Sequence, residues 1–408
     1  MTCCLRQACL WILMTMALCG SASGEQQDLY LEALGSLAEG RQQDASNTLR
    51  RMIDMAPEHA GAWLDLAIIQ CELGHAEEAE RLFHAIETRF SPPPGILDVI
   101  ASYRTRGCLE WRPHNQVSVM LGRGMDSNVN QGASNPNFSI GHGDTRIDLQ
   151  LLPEFLHRAD HYTIFSGDYA RDVDANGNVG FAQLQARQND VLTNFNTASL
   201  TAGLEHLWRF SDWGVRGTGL VSLLTLGGRL YQKQGQLRAQ ISPPLSLPLP
   251  DRFKFSMVAG VSHVVYPTLT NFDANIWELR GLLTYATTQS RAQASLGYLS
   301  DHAIAGRPGG NRQGWFASLQ DRFRVSGEMF GDIGWTRQTW HSDSAYSPGL
   351  IDQIRHQETQ MLHAKLIVPL ATHQAVQIEW RGVRNDENIT LFQYRSRLLQ
   401  LSWQWQDF

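Results

Sequence analysis

Leu398-Leu399-Gln400-Leu401-Ser402-Trp403-Gln404-Trp405-Gln406-Asp407-Phe408 is the last stretch of the chain, and it alternates apolar with polar residues. Successive side chains of an extended strand point to opposite faces, so Leu399, Leu401, Trp403 and Trp405 form one row. Gln400, Ser402, Gln404 and Gln406 form the other. Leucines running into tryptophans against a row of amides read as a strand with lipid on one side and a water-lined lumen on the other. Phe408 falls on the lumen parity, which a bulge or a frayed last residue accommodates.

The same period runs back to about Pro113. It marks fourteen segments of strand length, among them Gln116 to Arg123, Thr145 to Leu152, Ser199 to Trp208, Phe253 to Val265, Trp277 to Tyr285, Ala292 to Leu299, Met329 to Trp335, Leu362 to Leu370 and Val376 to Arg384. In the last of these Val376, Ile378, Trp380 and Gly382 share one face, and Gln377, Glu379 and Arg381 the other. Short connections (Arg158 to His161, Ser211 to Trp213, Thr287 to Ser290, Val325 to Gly327, Ala371 to Gln374) alternate with long polar ones near Ser127 to Gly143, Asp172 to Asp190, Asp301 to Gln313 and His341 to His356. Such asymmetry belongs to transmembrane barrels, whose turns are short on one side and whose loops are long on the other. The predicted fold is mainly β: an antiparallel transmembrane barrel of about fourteen strands over 111–408.

Met1 to Gly24 carries Arg6, an apolar core from Ala8 to Leu18 and the small residues Gly20 to Gly24, the layout of a cleaved secretory signal. A lipid-anchor reading through Cys19 places Leu18 where a small residue is required. Beyond the signal no apolar run is long enough to cross a bilayer as a helix. A net charge of -6 over 408 residues gives no basic surface for nucleic acid. The expected location is the outer membrane of a Gram-negative cell, with outer-membrane lipid around the barrel and the barrel assembly machinery as a partner in insertion. Cys71 and Cys108 remain after the signal, and either one disulfide or two buried thiols fit.

Residues 25–110 read as a small all-α domain. Ala33 and Ala67, Gly40 and Gly74, and Ala45 and Ala79 repeat at the 34-residue period of the tetratricopeptide repeat. Trp63, Leu66 and Ala67 open the first helix of the second copy, Gly74 makes its turn, and Ala79 and Phe83 lie on its second helix. Ile96 to Arg106 would cap the stack. The concave face of such repeats comes from their first helices, which selects Tyr30, Leu34, Leu64, Ile68 and Cys71 as the candidate cargo-binding surface.

At the end of the first strand stands Gly122-Arg123-Gly124-Met125-Asp126-Ser127-Asn128-Val129-Asn130-Gln131. With a short repeat segment before a barrel of about fourteen strands, this stretch resembles the surface lipoprotein assembly modulators, often called Slam. The resemblance implies an outer-membrane translocon moving lipoproteins or related proteins from a periplasmic repeat domain to the cell surface, with protein cargo as partner. The alternative from another class is an exopolysaccharide export porin, which also joins repeats to a barrel. From the residues themselves, Asp126, Asn128 and Asn130 share one parity and would offer hydrogen bonds to a passing chain beside the β-barrel seam. The plainer reading is a turn start.

Asp172-Val173-Asp174-Ala175-Asn176-Gly177 begins like a calcium loop, but Gln183 stands where a bidentate Glu belongs, which favours an ordinary turn. Asp301 with His302, and His341 with Asp343, are the paired groups on loops, and neither makes a catalytic constellation. The reading assigns no catalytic residue, no metal, no cofactor and no enzyme activity.

Overall fold

The structure is a computed structural model that describes residues 21–108, 113–141, 146–174, 176–210, 213–243 and 252–407. Most of the expected signal (1–20), the tip of one expected turn (211–212) and Phe408 lie outside them. The chain divides into two compact units, the first strand beginning the second at Asn115.

The first unit holds helices α1 Ser21–Ala38, α2 Gln42–Met55, α3 Ala60–Glu72, α4 Ala76–Phe90 and α5 Pro94–Arg106. The repeat is visible in its hydrogen bonds. Gly40 and Gly74 end α1 and α3 at φ 76° and 80°, where a Cβ would be strained. The amide after each closes the same loop, Arg41 N to Ser36 O and His75 N to Gln70 O, both at 2.9 Å. Ala33, Ala45, Ala67 and Ala79 are at most 1% exposed, so the small residues sit where helices approach most closely. Leu49, Met52, Leu66, Ile69, Phe83, Ile86 and Ile100 fill the core around them. Its buried polar pair is satisfied: Gln70 Nε2 donates to Ser46 Oγ at 2.6 Å. Cys71 and Cys108 form a disulfide across 37 residues, tying the chain after α5 to α3.

The second unit is a closed antiparallel barrel of fourteen strands. It begins with β1 Asn115–Asp126; β2 Asn137–Ile140 and β3 Ile147–Gln150 form a separate hairpin. The wall then runs through β4 Asp160–Asp172, β5 Val179–Asn189, β6 Thr197–Phe210, β7 Trp213–Leu226, β8 Arg229–Ser242 and β9 Phe253–Val265. It is completed by β10 Ala274–Ala286, β11 Ser290–Ala303, β12 Arg312–Ser326, β13 Met329–Ser347, β14 Ile351–Ala371, β15 Gln374–Glu387 and β16 Tyr394–Asp407. β16 pairs with β1, Val117 opposite Asp407 and Asp126 opposite Leu398, and this seam closes the barrel. Asn115 and Asp407 mark its terminal end, Asp126 and Tyr394 its loop end.

The predicted faces are the observed ones. Leu121, Val221, Leu237, Leu296, Leu319 and Leu401 stand 52–65% exposed on the outside, while Gln400 and Ser402 are 6% and 3% exposed inside. Trp208, Trp213 and Trp403 lie outward toward the terminal end, and Trp277 and Trp315 toward the loop end, as two interfacial girdles. No described helix is long and apolar enough to cross a membrane; the crossing elements are the strands.

One expected strand and three expected connections are corrected. Thr145 to Leu152 is no barrel strand: its core is β3, which pairs only with β2 inside the long connection 127–159. Arg158 to His161 is therefore the end of that loop running into the start of β4, and not a short turn. Asp172 to Asp190 is not one loop, because β5 occupies most of it; residues 173–178 are a short turn at the terminal end. The polar stretch His341 to His356 belongs largely to β13 and β14, which are 19 and 21 residues long. A bilayer needs only about 9–11, so these strands outrun it and turn polar.

Candidate functional site

The stretch from Gly122 to Gln131 lies where β1 meets β16, and its glycines are the first reason for that sequence. A Cβ on Gly124 would stand 2.5 Å from the Tyr162 ring and 2.8 Å from Leu399 O, and one on Gly122 2.9 Å from Ser402 Cβ. Tyr162, fully buried, fills the space they leave. Its hydroxyl donates to Gln400 Oε1 across the seam at 3.0 Å, and the Arg187 guanidinium lies 3.9 Å over its ring.

The polar residues that follow latch the seam. Asp126 Oδ1 accepts from Ser396 Oγ at 2.6 Å and from the Asn128 amide at 3.0 Å, while Oδ2 accepts from Arg187 Nη2 at 3.0 Å. Asn128, 2% exposed, donates through Nδ2 to Arg395 O and to Gly132 O, both at 3.0 Å, and its Oδ1 accepts from Gly132 N at 2.8 Å. Asn130 accepts from Arg158 N at 2.9 Å and donates to Leu156 O at 2.8 Å, gathering the two ends of the first long loop. Ser127 and Arg397 exchange two further bonds, Ser127 N to Arg397 O at 2.9 Å and Arg397 N to Ser127 Oγ at 2.8 Å. The expectation that this row is free to bind a passing chain is thereby corrected: its donors and acceptors are consumed in holding β1, β16 and the loop together. Polar bonds replace the cross-strand packing that a glycine-rich seam lacks. A cavity of about 440 Å³ inside the barrel opens beside the latch, against Asp126, Asn128, Arg187, Arg381, Tyr231 and Tyr394.

Deeper in the lumen, opposite charges stand side by side over four strands, β12 to β15, while Arg291 of β11 faces Arg322 at the edge of this run. On adjacent strands Arg322 faces Asp332, Asp332 faces Lys365, and Lys365 faces Glu379. Lys365 Nζ lies 3.7 Å from Glu379, which also binds Arg381, and His363 Nε2 lies 2.9 Å from Asp332. Inward aromatic rings are covered by cations: Phe316 by Arg280 at 5.3 Å, Phe330 by Arg322 at 5.4 Å and Trp340 by Arg312 at 4.9 Å. The sequence showed one-sided charge on single strands; the ladder across strands needs the register and could not be read from it.

The five residues expected on the concave face of the repeats do not form one apolar patch. Leu34 is exposed; Tyr30, Leu64 and Ile68 are partly buried against the helical core. Tyr30 donates to Asp65 Oδ2 at 2.7 Å, and burial together with that bond pushes its hydroxyl up to about 12. Cys71 is a correction: it is 1% exposed and bonded to Cys108, so it offers no surface to cargo.

The remaining candidates are accounted for locally. Asp174 Oδ1 accepts from the amides of Asn176 and Asn178 at 2.9 and 3.2 Å, as in an Asp/Asn turn, and Gln183 belongs to β5. Asp301, buried, is held by Arg307 at 2.9 Å and by Arg312, whereas the neighbouring His302 ring meets Ser300 Oγ at 2.9 Å on the opposite face. Asp343 accepts from Asn311 N at 3.1 Å, and the His341 ring packs against His356 with centroids 5.7 Å apart. Asp160, His161 and Asp190 converge closely enough for a cation. Asp160, however, already accepts three backbone amides, from His161, Val191 and Leu192 at 2.6–2.9 Å, and Asp190 binds Arg123.

Residues 36–90 match the tetratricopeptide repeat model, over the helices just described. No curated protein matches the chain. Among solved structures it is similar to the outer membrane channel DcaP of Acinetobacter baumannii, with 9% identity over 72% of this chain and 97% of that one and a TM-score of 0.41. An anion-selective porin from Comamonas acidovorans gives 7% identity, 72% and 99% coverage and 0.40. A bacterial polysaccharide outer membrane secretin gives 7% identity, 71% and 97% coverage and 0.37. At that level of likeness neither cargo nor selectivity transfers to this chain.

Proposed function

We propose that this protein is an outer-membrane translocon that carries lipoproteins or related secreted proteins from periplasm to cell surface, with its helical unit on the periplasmic side. The observation that carries this reading is the lumen wall, a ladder of alternating charges from Arg322 through Asp332 and Lys365 to Glu379. A polypeptide in transit presents both signs of charge and many amides. A stretch of wall that offers both signs, as these four strands do, meets each of them without trapping one. Polysaccharide passage draws on open aromatic faces for stacking, and here four of the inward rings, Tyr162, Phe316, Phe330 and Trp340, already carry a guanidinium, which leaves Tyr231 and Tyr394 beside the cavity. That favours protein cargo over the exopolysaccharide export porin.

The test compares cells with and without the protein. Surface lipoproteins accessible to added protease should fall in its absence while their total amounts and the surface polysaccharide stay constant. Loss of polysaccharide with the surface lipoproteins intact would reverse the assignment.

A further inference from the structure

The outward charges of the barrel gather near its loop end, and at one place they conflict. Arg384 of β15 and Arg395 of β16 are directly opposite in the register, and Arg397 lies two residues further along the same face, opposite Gly382. Alternation puts all three outside, because Trp380 and Leu399, at 38% and 49% exposure, belong to the same rows. Directly opposed residues hold their Cβ atoms about 5 Å apart and diagonal ones about 7–8 Å, so three guanidinium groups share one small area. Asp386 neutralises Arg384 at 2.6 Å. Among the described residues no carboxylate pairs with Arg395 or Arg397. Like charges facing each other across a ladder destabilise it unless an anion lies between them.

The backbone beneath these arginines is nonetheless the best-fastened part of the seam. Asn128 Nδ2 bonds Arg395 O, Ser127 bonds both polar groups of the Arg397 backbone, and Ser396 between them bonds Asp126. The latch therefore fixes a pair of outward, exposed guanidinium groups in position. Just below them on the same face come Leu399 and Leu401, the apolar surface that meets hydrocarbon. Any anion over this patch lies at headgroup depth.

We infer that Arg395 and Arg397, with Arg384 beside them, bind the phosphate of a membrane lipid headgroup in the leaflet at the loop end. Two guanidinium forks match phosphate oxygens in pairs, and the aliphatic rows below accept the acyl chains. The inference needs the barrel to stand in a bilayer and is independent of the cargo proposed above. It also gives the latch a consequence beyond closure, since the strand it holds carries the lipid contact.

The test uses the full-length protein in detergent, with heat-modifiability on gels as the measure of an intact barrel and native mass spectrometry as the measure of bound lipid. Phosphatidic acid should be retained about ten-fold more tightly than phosphatidylethanolamine. The Arg395→Gln/Arg397→Gln pair should abolish that preference with the barrel still heat-modifiable. If that pair fails to assemble, Arg395→Lys/Arg397→Lys keeps the charge but removes the fork, and the preference should drop several-fold. An unchanged preference in the assembled variant, or none in the wild type, overturns the inference. Displacement of phosphatidic acid by millimolar inorganic phosphate also overturns it, because the patch would then be a free-anion site.

Discussion

The helical unit and the barrel use the same residue types inside out. In the helices Leu49, Phe83 and Ile86 are buried and the charges are outside; in the barrel Leu237 and Leu401 face outward while Glu379, Gln400 and Ser402 are packed within. Glycine changes its work as well. Gly40 and Gly74 supply a left-handed φ that ends a helix, whereas Gly122 and Gly124 supply the absence of a side chain where Tyr162 and β16 press close. What a residue contributes is thus set by the solvent its face meets and only secondarily by its type.

The contrast is broken most strongly at the disulfide. Closing a loop of 37 residues stabilises by about 4 kcal/mol in the chain-entropy account. Cys108→Ser should lower the unfolding free energy of the helical unit by that amount, read from a denaturant titration followed by far-ultraviolet circular dichroism, and leave the heat-modifiability of the barrel unchanged. Next comes the lipid face. Leu401→Arg should cost about 2–4 kcal/mol in urea unfolding from micelles, while Gln404→Arg, three residues away and facing the lumen, should cost under about 1 kcal/mol. Equal losses would dissolve the inside-out comparison. The smallest effect sharpens the glycine contrast: Gly124→Ala should cost about 1–3 kcal/mol by overpacking. Much of that should return in Gly124→Ala/Tyr162→Leu, which removes the ring, though not in full because Leu399 O stays 2.8 Å away.

Much of this architecture was legible in the sequence where one physical signal dominated. Leu398 to Asp407 and Val376 to Arg384 alternate cleanly because one face meets lipid, and the 34-residue repeat shows because the same glycine turn recurs. Strand β5 escaped notice because its outward row, Gly180, Ala182, Leu184 and Ala186, is mostly small and gives little apolar contrast. Ile147 and Leu149 alternate with Asp148 and Gln150 as any strand would, so β3 looked like wall although its partner is another piece of loop. In the latch, the residues Asp126, Asn128 and Asn130 were found but their role was not. Parity says which side chains share a face, and it is silent about Ser396 and Arg395, which arrive from the far end of the chain.

That distance has a kinetic meaning. Asp126 and Ser396 are separated by 270 residues, whereas most neighbouring strands in the wall are joined by connections of a few residues. Bringing ends so far apart together costs about 5 kcal/mol in chain entropy before any seam bond repays it. The hairpins close first for the opposite reason, leaving an almost complete sheet with two unpaired edges, β1 and β16, until its ends meet. Asp126, Ser127 and Asn128 make their bonds at that last moment, so substitutions there should mainly speed the reopening of the sealed cylinder and leave the earlier hairpin steps unchanged.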